Sequence, residues 1–233
     1  DMWPFHPQPG HPYRALPLYD NERVVEYNPT VNHMTTRITE RATAFIDKHK
    51  NEPFLLYVPY TQPHVPLGVS DKFKGKSGEG LYADVIMEID WSVGEIMKTL
   101  KENGLDDHTL VLFTSDNGPW LSYGNHGGST GGLREGKGTT FEGGQRVPFI
   151  ARMPGRIPVG KVSEQFLSAL DITPTIVELT GSKMPRMNEF DGENVWMTLT
   201  GQAQSHKPFY FLYDGKVEAV RDGKWKCVAP HEY

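Results

Sequence analysis

Helical and extended hydrophobic patterns alternate along this chain. This alternation constrains the possible folds more than any other feature of the sequence. Apolar residues recur at three- or four-residue spacing over 31–50 and again over 80–103, which predicts two amphipathic helices. Each is followed by an apolar run, PFLLYVPY at 53–60 and HTLVLFTS at 108–115, which predicts buried strands. This alternation is typical of an α/β fold with a mostly parallel sheet covered by helices.

Two further elements extend the alternation toward the C-terminus. The segment VPFIARM at 147–153 predicts another core strand. Residues 170–181 predict a short helix with Thr173 as its N-cap, Pro174 at its first position and Gly181 beyond its end.

The two ends of the chain follow different patterns. Residues 1–30 are rich in Pro, Tyr and His and predict an irregular surface segment. From 206 to 233, short strand patterns joined at two Asp-Gly-Lys turns predict the beginning of a small antiparallel subdomain.

Composition and charge argue against several classes of partner. The 233 residues are 37% hydrophobic and 23% charged, as in a soluble globular protein. A net charge of −5 with scattered Lys and Arg residues offers no basic surface for nucleic acid. The longest apolar run, FLLYV, is too short to span a membrane, and the single Cys227 excludes an internal disulfide. The opening DMWPFHPQPG lacks a signal-peptide pattern, so any targeting segment is expected outside the chain.

The strand at 108–115 ends in a carboxylate and an amide. Asp116 and Asn117 offer hard oxygen ligands suited to Ca²⁺ or Mg²⁺, although Asp-Asn-Gly is also a common turn sequence. They open a glycine-rich connection that extends to about Gln145, which is long for a compact domain unless the loop is functional. We therefore predict an active-site loop.

Three basic side chains are candidates for that site. Lys137 lies between two glycines, so a flexible backbone can bring it close to an anion, although a loop lysine is more often solvated. His64 stands between prolines just after a predicted strand, a stiff setting that would aim its imidazole at a site, although a single histidine there is more often a surface or packing residue. His126, in GNHGG, either reaches a substrate or has a purely local turn role.

Other charged residues are expected to be structural. Asp84 and Glu88 stand four positions apart on a predicted helix, and an exposed carboxylate face is favoured over an acid/base pair. Arg134, Glu142 and Arg146 surround Lys137 in sequence and are expected to form loop-fixing ion pairs.

Taken in order, these segments resemble one family. The segments are PFLLYVPYTQPHVPL, GLYADVIMEIDWSVGEIMKTL, TLVLFTSDNGPW, GGLREGKGTTFEGGQRVPFIARMPG, ALDITPTIVEL and FYFLYDGKVEAVRDGKWK. Together they are similar to the sulfatases of the arylsulfatase A-like branch, within the alkaline-phosphatase-like superfamily. The resemblance covers nearly all of residues 31–228.

The resemblance implies a chemistry and a role for each candidate. Sulfatases of this kind hydrolyse sulfate esters with a Ca²⁺ ion and a formylglycine made from the cysteine of a C-x-P-S-R motif. Asp116 and Asn117 match metal ligands, Lys137 matches the lysine on the sulfate, and His64 matches the histidine near the scissile oxygen. These four residues are expected to converge on one cleft, with a small-molecule or glycan sulfate ester as substrate.

The resemblance also has consequences for domain organisation and compartment. Residues 1–205 are expected to be the C-terminal portion of a catalytic sulfatase domain, and 206–233 the beginning of the C-terminal subdomain. Relatives of this kind are usually exported or lysosomal, which implies a periplasmic, extracellular or lysosomal enzyme.

The chain also departs from the family pattern. It contains no C-x-P-S-R motif and lacks the paired aspartates that bind the metal near the family's amino terminus. We therefore expect the segment that supplies the nucleophile to lie outside these residues. Two alternatives stay open: a phosphoesterase or phosphonate hydrolase of the same superfamily, and a non-catalytic binding module that retains the fold.

Overall fold

A computed structural model describes residues 15–183 and 190–230. The chain forms two compact units. Unit 1 comprises Asp1–Asp106 and Trp120–Ser129, and unit 2 comprises Asp107–Pro119 and Thr130–Tyr233. Residues 1–14 of the N-terminal segment expected to be irregular lie outside the described residues.

Two long helices build the core of unit 1. Helix α1 spans Met34–His49 and helix α2 spans Leu81–Glu102, which confirms both predicted helices. The helices pack against each other because each carries a buried apolar stripe. The stripe of α1 contains Ala42 and Ile46, and the stripe of α2 contains Val85, Ile89 and Leu100.

A buried polar cluster lies between these helices. The hydroxyl of Ser92 lies 2.5 Å from Thr39 Oγ1 and 2.7 Å from the Tyr60 hydroxyl. Burial raises the pKa of the Tyr60 phenol, and the hydrogen bond with Ser92 lowers it in part. Tyr60 therefore stays neutral and serves as a hydrogen-bonding partner inside the unit.

The prediction of an exposed carboxylate face on α2 is wrong. Asp84 and Glu88 are only 3% and 1% exposed. Both accept hydrogen bonds from the loop that precedes the helix: Asp84 from the N–H groups of Gly75 and Ser77, and Glu88 from the N–H of Ser70. A buried carboxylate is tolerated when such donors satisfy it. The two acids therefore anchor the loop.

The N-terminal part of unit 1 differs from the prediction in two places. Strands β1 (Pro17–Asp20) and β2 (Arg23–Tyr27) form an antiparallel hairpin where irregular chain was expected. The predicted strand at 53–60 is not paired with any other described segment. Its residues alternate between half-buried and exposed, with Leu55 and Tyr57 exposed. An apolar alternation indicates an extended segment, whereas a strand also needs a lateral hydrogen-bonding partner.

In unit 2 both predicted strands are present, but they pair antiparallel and their residues are half-buried or exposed rather than buried in a core. Strand β3 (Val111–Thr114) pairs with β4 (Phe149–Arg152), from Val111 opposite Arg152 to Thr114 opposite Phe149. The glycine-rich connection leaves the end of β3 and returns to the start of β4 at the same end of the strand pair. The Gly118 N–H, after β3, donates to the Gly144 carbonyl, before β4, at 2.9 Å, which brings the two ends of the connection together. All strand pairs among residues 15–183 and 190–230 are antiparallel, so the predicted parallel sheet is not confirmed.

Short helices and a small sheet complete unit 2. Helix α3 spans Glu142–Gln145, α4 spans Ile172–Thr180 and α5 spans Trp196–Leu199. Helix α4 ends as predicted at Gly181, whose φ of 63° is left-handed, but its N-cap is Asp171 rather than Thr173. Asp171 completes a capping box with Ser168 in the preceding turn. The helix therefore starts earlier than predicted from Pro174, which was expected at its first position.

The C-terminal strands form one antiparallel sheet, as predicted. Strands β5 (Phe209–Tyr213), β6 (Lys216–Asp222) and β7 (Trp225–Val228) are hydrogen-bonded in that order. Their turns fall at the two Asp-Gly-Lys sequences. Within the described ranges, the helices fall short of the length and apolarity needed to cross a membrane.

Candidate active site

The carboxylate and amide after β3 belong to a tight turn. Ser115 Oγ donates to the Asn117 carbonyl at 3.1 Å, and Asn117 Nδ2 donates to the Gly118 carbonyl at 3.0 Å. The amide nitrogen is thereby engaged, which leaves the side-chain oxygen of Asn117 for another partner. Asp116 is exposed. The turn expected from Asp-Asn-Gly is thus present, and it leaves a carboxylate and an amide oxygen on adjacent residues.

The backbone of this turn packs closely against the start of α3. A Cβ on Gly118 would lie 1.8 Å from the Gly143 carbonyl oxygen, so only glycine fits there. Gly143 is itself enclosed, since a Cβ on it would lie 1.9 Å from the Glu135 carbonyl oxygen. These contacts explain the glycines of the long connection: they let three stretches of backbone meet.

Lys137 is tied to the same turn. Its backbone N–H donates to the Pro119 carbonyl at 2.9 Å, and Pro119 follows Asn117 by two residues. The lysine is half-buried, and Gly138 after it has a φ of 89°, which a side-chain-bearing residue rarely adopts. Unit 2 therefore brings the Lys137 backbone to the segment that carries Asp116 and Asn117.

The lysine-bearing loop is anchored to the C-terminal sheet. Glu142 Oε1 accepts a hydrogen bond from Lys226 Nζ at 3.0 Å, and Glu142 Oε2 lies 3.7 Å from Arg221. The Arg134 guanidinium lies 3.8 Å from the centre of the Phe141 ring, a cation–π contact. The expected loop-fixing ion pair is thus present for Glu142, with partners from strands β6 and β7. Lys226 lies 84 positions from Glu142 and Arg221 is also distant from it in sequence, so no local sequence pattern predicts either partner.

In unit 1, His64 is an exposed residue with a defined ring orientation. Its Nδ1 lies 2.6 Å from the Val65 carbonyl oxygen. Since a carbonyl only accepts, Nδ1 carries a proton and donates it, which leaves Nε2 for a substrate. The surrounding loop is pinned by the buried Gln62, which donates to Pro66 and accepts from the Gly68 N–H, each at 3.2 Å.

Two aromatic rings adjoin this histidine. The ring centres of His64 and Trp120 are 5.7 Å apart, and those of Trp120 and Tyr123 are 4.7 Å apart. Sequence analysis missed both aromatic residues. Their only sequence signal was Trp120 at the end of the Asp-Asn-Gly-Pro-Trp run.

His126 ends the short 3₁₀ helix Leu121–His126 and is exposed. The turn closes behind it, since the Gly127 N–H donates to the Gly124 carbonyl at 3.0 Å. Both alternatives for His126, a local turn role and contact with a substrate, stay predictions. His64 and His126 belong to unit 1 and the other candidates to unit 2, so convergence on one cleft also stays a prediction.

Across the described part of the chain, no group of three or more His, Cys, Asp or Glu side chains is arranged to hold a metal ion. Asp116 and Asn117 nevertheless have the donor chemistry that a hard cation requires. Ca²⁺ takes about 6 to 8 oxygen ligands. This pair could supply only a minority of that shell.

Comparison with known proteins identifies the class. A family model described as Sulfatase matches residues 9–182. Arylsulfatase H of Canis lupus familiaris is 39% identical over 201 residues, which are 84% of this chain. The chain belongs to the sulfatase family.

Solved structures agree with this assignment. PsFucS1 sulfatase from Pseudoalteromonas sp. matches 88% of the chain with a TM-score of 0.82 and 28% identity. Ps i-CgsB, solved in complex with k-i-k-neocarrahexaose, matches 92% of the chain with a TM-score of 0.79 and 32% identity. The chain spans 36% of arylsulfatase H, 42% of PsFucS1 and 49% of Ps i-CgsB, less than half of each.

Proposed function

We propose that the protein is an arylsulfatase-like sulfuric ester hydrolase and that this chain carries its lysine, histidine and two of its metal ligands. One observation carries most of the proposal: the backbone of Lys137 is hydrogen-bonded beside the turn that presents Asp116 and Asn117. A lysine whose backbone is fixed beside two hard oxygen ligands suits an anionic group that would itself be bound to a metal ion. Membership of the sulfatase family supports this assignment.

Two groups absent from the described chain complete the proposal. Asp116 and Asn117 would hold Ca²⁺, which when bound polarises and orients the sulfuryl group. A formylglycine would supply the nucleophile, and the C-x-P-S-R motif from which it is made does not occur in these 233 residues.

Lys137 would neutralise the sulfuryl oxygens. Its half-buried position removes part of the surrounding water, so its charge acts more strongly than in bulk solvent. Because Gly136 and Gly138 flank it, the backbone can approach the anion closely. The backbone hydrogen bond to Pro119 fixes the base of the side chain before the substrate arrives. Such preorganisation favours the transition state.

His64 would protonate the departing oxygen. The bond from Nδ1 to the Val65 carbonyl orients the imidazole, and its imidazolium form carries a second proton, on Nε2. In that form Nε2–H donates its proton to the bridging oxygen as the S–O bond breaks, and the alcohol or phenol leaves neutral. The neutral imidazole of His64 then takes a proton from solvent and is ready for the next turnover, and the formylglycine, when present, would accept the sulfuryl group.

The substrate would be a small-molecule or glycan sulfate ester. Relatives named for aryl sulfates and a structural neighbour bound to an oligosaccharide support this breadth. We also propose export to the periplasm, the extracellular space or the lysosome, by analogy with the family.

Hydrolysis of matched esters by a longer protein that contains this chain tests the proposal. We expect 4-nitrophenyl sulfate to be cleaved faster than 4-nitrophenyl phosphate or a phenylphosphonate ester. We further expect calcium chelation to abolish turnover and added Ca²⁺ to restore it. Preferred cleavage of the phosphorus esters would indicate the phosphoesterase or phosphonate hydrolase alternative. Binding of a sulfate ester without turnover would indicate a non-catalytic module.

A further inference from the structure

Beside His64, unit 1 presents an aromatic pair to which the proposed chemistry assigns no role. We infer that Trp120 and Tyr123 form the surface against which the ring of the sulfate ester's alcohol portion packs. This inference rests on the proposed function, because it assumes that His64 acts on the oxygen that joins this ring to sulfur. The pair would then select substrates by their organic portion and take no part in proton transfer.

Trp120 contacts both His64 and Tyr123. The Trp120 ring makes a tilted, edge-type contact with His64 at 62° and another with Tyr123 at 69°. An imidazole that protonates a leaving oxygen must lie within hydrogen-bonding distance of it, about 2.6–3.2 Å. The carbon skeleton bonded to that oxygen would then lie near the residues that adjoin the imidazole, and Trp120 is one of them.

Large apolar side chains beside Trp120 are exposed. Tyr123 and the neighbouring Leu121 are each 46% exposed. Exposed aromatic faces gain free energy when another ring covers them, and sugar, aryl and steroid rings all present flat C–H or π faces. The surface is thus chemically suited to a ring.

Backbone contacts fix the turn that carries Trp120 and Tyr123. The Tyr123 N–H donates to the Trp120 carbonyl at 3.1 Å, which closes the turn that carries both rings. A Cβ on Gly127 would lie 2.2 Å from the same carbonyl oxygen, so the chain folds back tightly on Trp120. The backbone that carries the two rings is therefore fixed, so little backbone ordering entropy is lost when a substrate binds.

Sequence position links this surface to the rest of the proposed site. Trp120 follows Asn117 by three residues along the chain. A short covalent link between a metal ligand and a ring-binding residue places the two functions on one continuous segment. Changes in that segment would alter substrate preference while the ligand residues stayed the same.

Steady-state kinetics of Tyr123→Leu in a longer protein that contains this chain test the inference. The substrates are 4-nitrophenyl sulfate, with an aryl ring, and galactose 6-sulfate, with a pyranose ring, and inorganic sulfate serves as a competitive inhibitor without a ring. For whichever ring ester the protein hydrolyses, we expect KM to rise about five- to tenfold, as loss of one ring contact predicts. We expect kcat to stay within about twofold and Ki for inorganic sulfate to be unchanged.

Tyr27→Leu is the matched control, because Tyr27 is an exposed tyrosine of the same unit, in strand β2. It should leave all three constants unchanged. A rise in KM for only one ester identifies the ring that the surface accepts. If the wild-type protein hydrolyses neither ester, the proposed function fails and this inference fails with it. If hydrolysis proceeds and Tyr123→Leu leaves KM unchanged, or changes Ki for sulfate equally, the ring-binding role alone is overturned.

Discussion

Lys137 donates its backbone N–H to the carbonyl oxygen of Pro119 at 2.9 Å. The bond joins the centre of the glycine-rich loop to the turn after β3, and it does not depend on the lysine side chain. A substitution that removes the ammonium group of Lys137 retains this backbone contact. Mutation can therefore test the charge of the side chain without changing the position of the backbone.

Lys137→Ala should lower kcat/KM for a sulfate ester by about 100- to 1000-fold, the loss expected for one preorganised charge-stabilising group. Its melting temperature should stay within about 2 °C of the wild type, since the backbone bond to Pro119 is kept. The control is Lys98→Ala, which removes an exposed lysine on α2 and should change neither quantity. Preserved activity together with a large drop in melting temperature would make Lys137 a structural residue.

Gly143→Ala should destabilise unit 2 by at least about 1 to 3 kcal/mol, because the new methyl group would overlap the Glu135 carbonyl oxygen. Gly94→Ala is the matched control. Gly94 is an exposed residue of α2 with open space where a Cβ would be added, so alanine there should stabilise by about 0.5–1 kcal/mol. Denaturant unfolding measures both. Equal effects of the two substitutions would contradict the close backbone packing at Gly143.

Glu142→Gln should lower the free energy of unfolding by about 1 kcal/mol, because Lys226, whose side chain is 11% exposed, loses its charged partner. A double-mutant cycle with Lys226→Met should show a coupling of about 0.5–1 kcal/mol. The exposed pair Lys98 and Glu102, 3.9 Å apart, provides a second cycle in which coupling should stay below about 0.5 kcal/mol. Additive effects at Glu142 and Lys226 would show that the pair does not anchor the loop.

Asp84→Asn should destabilise unit 1 at neutral pH and weaken its sensitivity to acid. Hydrogen bonds from the Ser77 hydroxyl, and from the N–H groups of Ser77 and Gly75, lower the pKa of Asp84 below its usual value of 3.8. A carboxyl whose pKa is lower in the folded state stabilises fully above its unfolded pKa, and that contribution disappears as pH falls through the folded pKa.

Melting temperatures from pH 7 to pH 2 check this prediction. The difference between the wild type and Asp84→Asn should be largest above pH about 4 and should shrink below it. Asp90→Asn, on the exposed side of the same helix, should follow the wild type throughout. A difference that is constant with pH would show that the ionised form of Asp84 is not what stabilises the fold.

Features of the fold that depend on neighbouring residues follow from the sequence. The boundaries of α1 and α2 agree with the apolar spacing because a helix repeats within its own segment. The turns of the C-terminal sheet fall at Asp-Gly-Lys because left-handed backbone conformations select Gly and Asp locally. The pairing of Asp116 with Asn117 is likewise a property of adjacent positions.

Strand direction could not be obtained in the same way. The pattern of β3 and β4 predicts buried strands, but their antiparallel pairing depends on where the glycine-rich connection brings the chain back. The hydrogen bond between Gly118 and Gly144 determines that return, and it joins residues 26 positions apart. The hydrophobic pattern predicted that these segments are strands, but it gave neither the partner strand nor the half-buried and exposed positions that their residues occupy.

Sequence by itself therefore determined where helices, turns and candidate side chains lie along this protein, because these depend on steric and hydrogen-bonding preferences within a few residues. Tertiary structure decided which charges are buried. Asp84 and Glu88 have the spacing of a solvated helix face, yet backbone N–H groups of the preceding loop satisfy them inside unit 1. It also decided that Glu142 pairs with Lys226 and that Trp120 adjoins His64. Such contacts join residues far apart in sequence, and only the folded chain brings them within a few ångströms.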